Sequence, residues 1–100
     1  GVTSIQVGDT HSCAQTQAGD VKCWGNNIYG NVGDGSNTTG STPVNVVGLG
    51  PGVLSVSPGG NHTCAVLDTG AAKCWGLNFD GQLGSGTNTT SSVPVDVVRQ

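Results

Sequence analysis

Short runs in which apolar and small polar residues alternate are separated by Gly, Asn and Asp along the whole chain. Alternation is the period of a half-buried strand, not of an amphipathic helix. The pattern predicts a first strand over residues 2–7 with a counterpart at 53–58, and a second over 11–16 with a counterpart at 62–67. A third is predicted over 20–25 and 71–76, and a fourth over 43–47 and 94–98. In the first strands Thr3, Ile5 and Val7, and likewise Leu54, Val56 and Pro58, are expected to look toward one face. Pro43 and Pro94, as first residues of the fourth strands, suggest edges, where a missing N–H is tolerated. The second and third strands flank Gln17-Ala18-Gly19 and Asp68-Thr69-Gly70, three-residue hairpin loops whose last residue requires positive φ. That register sets Cys13 opposite Cys23 and Cys64 opposite Cys74.

The counterparts exist because the sequence repeats at a spacing of 51 residues. His11, Cys13, Gly19, Lys22, Cys23, Trp24, Gly25, Asn27, Gly30, Gly33, Gly35 and Pro43 all recur, with about half of the aligned positions identical. A repeat of this length with four strands per unit is the arithmetic of propeller blades. The expected fold is all-β, two four-stranded antiparallel propeller-type blades within a larger assembly. Residues 1–51 form the first repeat and 52–100 the second.

Composition narrows the function. Gly contributes 18 of 100 residues, Glu and Met are absent, and only 9% of residues are charged, which disfavours long helices. Three basic residues against six acidic ones cannot neutralise a phosphate backbone, so nucleic acid is excluded as a partner. No apolar run reaches the ~20 residues of a membrane span. Gly rather than Met at position 1 leads us to expect a processed product or an excised piece.

The paired Cys are expected to form disulfides Cys13–Cys23 and Cys64–Cys74 in an extracellular, oxidising setting. Each would close a loop of about 11 residues, worth ~2.5–3 kcal/mol in the chain-entropy treatment. Four reduced, buried Cys acting as small hydrophobes are the alternative.

No catalytic, metal or cofactor site is expected. His11 and His62 neighbour Ser12 and Thr63, but consecutive strand residues point to opposite faces. Zinc on His11, Cys13 and Cys23 lacks a fourth ligand. Calcium in Asp34-Gly35-Ser36-Asn37 lacks the required acidic spacing. The Gly-rich loops after the third strands lack the Lys and helix of a phosphate loop. Trp24 and Trp75, with His11 and His62, are expected to pack between blades, with sugar stacking by the Trp rings the alternative. Asn37, Asn61 and Asn88 head Asn-x-Thr sequons and are glycosylation candidates.

The order Gly-x-x-His-(Ser/Thr)-x-Ala, a Gly turn, then Trp-Gly-x-Asn-x-x-Gly-x-(Val/Leu)-Gly resembles the repeat of the regulator of chromosome condensation family. The second copy follows it fully through Trp75-Gly76-Leu77-Asn78-Phe79-Asp80-Gly81-Gln82-Leu83-Gly84. The first departs mildly, with Asn31-Val32 where Gln-Leu is usual. The resemblance implies a propeller, usually of seven blades, acting as an interaction platform. The expectation is therefore a non-catalytic structural module that assembles with identical chains or neighbouring repeats into a ring or filament. The run from Val97 to Gln100 followed by Gly1 would read like the internal junction between repeats, which makes head-to-tail continuation natural. The alternative is an extracellular segment that binds glycan or protein through its rim loops.

Overall fold

A computed structural model describes residues 2–49, 52–79, 81, 83–87 and 89–97. Asn88 and the chain junction at residues 98–100 and 1 lie outside them. Two antiparallel sheets form in chain order. The first contains β1 (Val2–Val7), β2 (His11–Thr16), β3 (Val21–Gly25) and β4 (Gly40–Asn45). The second contains β5 (Val53–Pro58), β6 (His62–Leu67), β7 (Ala72–Gly76) and β8 (Ser91–Asp96).

The hairpin at the centre of each sheet has the register its turn imposes. Gly19 has φ 89° and Gly70 φ 88°, and Cys13 pairs with Cys23, Cys64 with Cys74. Both pairs are disulfide bonded, with Cα atoms 4.1 and 4.0 Å apart. Asp20 and Ala71 belong to the turns rather than to the third strands. Their carbonyls accept from the N–H of Thr16 and Leu67 and close the loops.

The fourth strands depart further from expectation. They begin at Gly40 and Ser91, so Pro43 and Pro94 lie inside β4 and β8. Both ladders shift register there, between Cys23 and Gly25 and between Cys74 and Gly76. An edge strand at a bulge tolerates a residue without an N–H. A second irregularity, between Val2 and Ser4 and between Val53 and Ser55, breaks the expected alternation of the first strands. Leu54 is consequently exposed while Val56 is buried.

Each sheet has two dissimilar faces. Register assigns His11, Cys13, Val21, Cys23 and Val44 to one face of the first sheet, and Ile5, Val7, Ser12, Ala14 and Trp24 to the other. We call these the cystine face and the tryptophan face. The second sheet repeats the division, with Val56, Thr63, Ala65, Leu67 and Trp75 on its tryptophan face. The core is the seam where the first sheet's cystine face meets the second sheet's tryptophan face. Cys13, Val21 and Cys23 cluster there with Val56, Ala65 and Trp75, and Val32 and Leu49 close its sides.

Position within the pair of sheets thus separates residues that the repeat makes equivalent. Val56 is 3% exposed, but Ile5, its counterpart, is 57% exposed. Trp75 is fully buried, whereas Trp24 is half-buried on a face with no sheet against it. Truncating Trp75 to Ala removes a large core side chain, so it should cost ~3–5 kcal/mol. Trp24→Ala should cost less than half as much. Urea denaturation followed by circular dichroism compares the two, and an equal or larger loss at Trp24 would contradict this seam.

Candidate functional site

Two side chains meet the backbone of Asn31 at the seam, and a third, His11, meets one of them. The Asn31 carbonyl oxygen accepts from Trp75 Nε1 at 2.8 Å and from Thr63 Oγ1 at 2.8 Å. His11 Nε2 lies 2.6 Å from the same Thr63 oxygen. A carbonyl only accepts, so the single hydroxyl proton of Thr63 is committed to Asn31. The Thr63 lone pair must then take the Nε2–H of His11. The hydrogen-bond network therefore places a proton on His11 Nε2, and burial favours the neutral ring by lowering its pKa.

That proton order decides the chemistry. A general base removes a proton from a hydroxyl nucleophile; here the imidazole donates to the hydroxyl, and all three residues are buried. Cys13, on the same face as His11, is bonded to Cys23 and cannot serve as a thiolate ligand. Among the described residues, no three His, Cys, Asp or Glu side chains are grouped to hold a metal ion. Nδ1 of His11 and both polar atoms of the Asn31 side chain are buried without a hydrogen-bond partner among the described residues. His62, the repeat counterpart of His11, is half-buried on the second sheet's cystine face.

The loops after β3 and β7 are built around residues whose recurrence was visible but whose role was not. Asn27 is fully buried. Its Nδ2 donates to the carbonyls of Ser36 at 3.0 Å and Thr38 at 3.2 Å, and its Oδ1 accepts from the Val32 N–H at 3.0 Å. Asn78 repeats the device, donating to the carbonyls of Thr87 and Thr89 and accepting from the Leu83 N–H. One side-chain amide thus replaces the ladder bonds that an irregular loop lacks. The signal in the sequence was Trp-Gly-x-Asn recurring in both repeats.

Held this way, the first loop reaches into the second sheet. Gly33 passes so close to the Trp75 indole that a Cβ there would lie 2.6 Å from Nε1. Gly35 N–H donates to the Ser92 carbonyl at 3.0 Å. Asp34 completes a local turn. Burial works against its charge, but bonds from the Ser36 hydroxyl and N–H and from the Asn27 amide outweigh it and hold the carboxyl below its ordinary range. All three of these donors meet one oxygen of the carboxylate, Oδ1.

At the loop tips Ile28 and Phe79 are 62% and 63% exposed, and the rings of Tyr29 and Phe79 meet edge to face at 5.9 Å. Asn37 is exposed there, its Nδ2 donating to the Ile28 carbonyl at 2.8 Å. Asn61 is half-buried, and the hydroxyl its sequon requires is the Thr63 oxygen at the seam. A shallow cleft of ≈ 190 Å³ opens beside the first hairpin turn, lined by Asp20, Asn45, Gly48 and Val53 among others.

Models of the regulator of chromosome condensation repeat match residues 2–31 and 53–82, and a second model of that repeat matches 18–66. Over 95 residues the chain is 39% identical to the E3 ubiquitin-protein ligase HERC2 of Homo sapiens, covering 94% of the chain and 2% of that protein. It is 34% identical to the ultraviolet-B receptor UVR8 of Arabidopsis thaliana, covering 93% and 21% respectively. Among solved structures it superposes on Prp20p of Saccharomyces cerevisiae with TM-score 0.86 at 24% identity, over 99% of this chain and 26% of that one. Human WBSCR16 gives TM-score 0.84 at 27% identity, over 98% and 26%. The chain therefore spans about a quarter of these structures and a smaller share of the curated relatives.

Two outcomes check this geometry. Asn27→Ala strands the Val32 N–H and two loop carbonyls, and should cost ~2–4 kcal/mol given ~1–3 kcal/mol per unsatisfied buried group. Faster amide exchange at Val32 in the variant reads the effect directly. His11 is held below its ordinary value of 6.5 by burial first and by nearby His62 second, with the adjacent His62 backbone opposing. An unfolded chain then binds more protons than the folded one, so stability rises with pH. The contribution should be complete above about 6.5 and should decline as pH falls toward the lowered folded value. Denaturation midpoints between pH 7 and 5 should show this slope, and His11→Gln should flatten it.

Proposed function

We infer the function from the family to which this chain belongs, that of the regulator of chromosome condensation (RCC1) repeat. The chain is a non-catalytic binding module, two blades of a propeller-type array whose outer faces are covered by further blades of the same kind, identical chains included. One observation carries this reading. The first sheet's tryptophan face and the second sheet's cystine face are both open, and they are the two kinds of face that close against each other at the seam. A two-blade unit leaves one surface of each kind bare, and stacked repeats need roughly three or more units for stability. The donated proton of His11 supports the non-catalytic part. The two cystines support an oxidising, extracellular setting.

A second reading, ligand binding through the rim, is supported by the exposed Ile28 and Phe79, with the half-buried Tyr29 ring against Phe79. Prp20p carries binding properties toward Gsp1p and histones; for the present chain the corresponding partner class is protein, taken up at the loop tips. Glycan, on Asn37 or bound at the rim, is the other class we propose to test.

Multi-angle light scattering on the 100-residue chain tests the main reading. The expected result is species several times heavier than the 9.9 kDa chain, growing with concentration. A monodisperse species of chain mass with a cooperative melt would mean that two blades suffice.

A further inference from the structure

The hydrogen-bond relay at the seam contains one group whose charge changes near neutral pH. His11 is 3% exposed, and its Nε2 proton goes to Thr63, whose own proton goes to the Asn31 carbonyl. The Trp75 indole meets that same carbonyl. His11 belongs to the first sheet, Thr63 and Trp75 to the second, so the relay is complete only while the two sheets touch. The other ring nitrogen, Nδ1, is buried without a hydrogen-bond partner among the described residues. A second ring proton would sit there with nothing to receive it, and would bring a full charge into the seam. The adjacent His62 backbone offsets only part of that cost.

Neighbouring charges do not relieve it. His62, the residue before Thr63, repels a second positive charge. Asp9, in the turn before β2, has its carboxylate beside Gly60. Asp34 and Tyr29, in the loop that carries Asn31, face Ser36 and Phe79. Lys73 and Asp96, on the second sheet's tryptophan face, pair with each other at 3.3 Å. Lys22 lies on the opposite face of its sheet from His11 and donates to Asn45. Among the described residues no carboxylate forms an ion pair with His11.

We propose that His11 is a proton-operated latch between the two sheets: the neutral ring holds the seam shut, and a second ring proton opens it while each sheet keeps its fold. The inference stands on the internal seam and does not depend on what covers the outer faces. The sheets outlast their separation because each is hydrogen bonded through four strands and cross-linked by its own cystine. The sign follows from linkage. In the closed seam burial holds His11 below 6.5. In the open seam water restores the ordinary value, so opening takes up a proton. Opening is therefore least favoured above about 6.5 and grows as pH falls below that, until the closed form is itself protonated. Acid uncovers apolar surface on both sheets, Val21 on one and Val56 and Trp75 on the other. The latch makes the seam a surface hidden at neutral pH and shown at acidic pH.

The Trp75 indole reads the latch, because its Nε1–H is spent on the Asn31 carbonyl and is freed when the seam opens. Hydrogen exchange of the 100-residue chain at pH 7, 6 and 5 is stopped by freezing. It is then read by NMR in dimethyl sulfoxide, where any assembly is dissolved. Rates are divided by those of N-acetyltryptophanamide at the same pH, which removes the intrinsic pH dependence. Protection of the Trp75 indole should fall several-fold from pH 7 to 5, with a ceiling of roughly 25-fold set by the ordinary value of 6.5. Protection of the β2 and β3 amides should not fall with it. His11→Gln keeps an amide donor for Thr63 and does not titrate, so its indole protection should be the same at all three pH values. Should that variant fail to fold, His62→Gln leaves the bonded ring in place and should still show the fall. Constant protection in the unsubstituted chain overturns the latch, as does a fall that His11→Gln retains or that His62→Gln abolishes. Equal loss at the indole and at the strand amides also overturns it, because the whole fold and not the seam would then be responding.

Discussion

Two hydrogen bonds to one backbone oxygen, that of Asn31, tie the two repeats together. Trp75 and Thr63 come from the second sheet, whereas Asn31 lies in a loop that belongs to the first. The loop has to be held open at the right height for this, and the buried Asn27 amide does so from within. It must also pass the indole closely, which only a residue without a Cβ allows at Gly33. Buried polar contacts of this kind specify geometry more sharply than apolar contact does, because a misplaced partner leaves an unpaired group in a medium of low dielectric. The apolar seam then supplies most of the stabilising free energy, and the Asn31 oxygen sets the alignment in which the seam closes.

The strands, the hairpin register and the repeat were legible in the sequence because each follows from local rules. A Gly at the last position of a three-residue loop sets the pairing of Cys13 with Cys23 without reference to the rest of the chain. The bounds of β4 and β8 were not legible, since Pro43 reads as a strand start unless the bulge opposite Trp24 is known. The alternation in β1 failed for the same reason: a one-residue irregularity at Val2–Ser4 is a property of the pair of strands, and no single strand records it.

The candidate site was partly legible. His11, Trp75 and the Cys residues stood out by recurrence, and a packing role for His11 and Trp75 follows from the repeat. What recurrence could not provide was the difference between copies. Trp24 and Trp75 occupy identical sequence contexts, yet only one has a sheet against it. Asn31 stood out only as a departure from the family pattern, and Thr63 as the neighbour of His62 and the third residue of a sequon, not as a partner of Asn31. Their importance arises from contacts across some 30 residues of chain, which periodicity does not encode.

The two cystines show what such asymmetry means for reactivity. Cys13 and Cys23 have no exposed surface, whereas Cys64 is partly open on the bare face of the second sheet. Thiol–disulfide exchange needs a thiolate to reach a sulfur atom. With only these two sheets present, a reductant in solution can approach Cys64, but it reaches the inner bond only in molecules whose blades have parted. One covalent link, written twice in the sequence, is sealed where a second sheet covers it and reactive wherever its face stands uncovered.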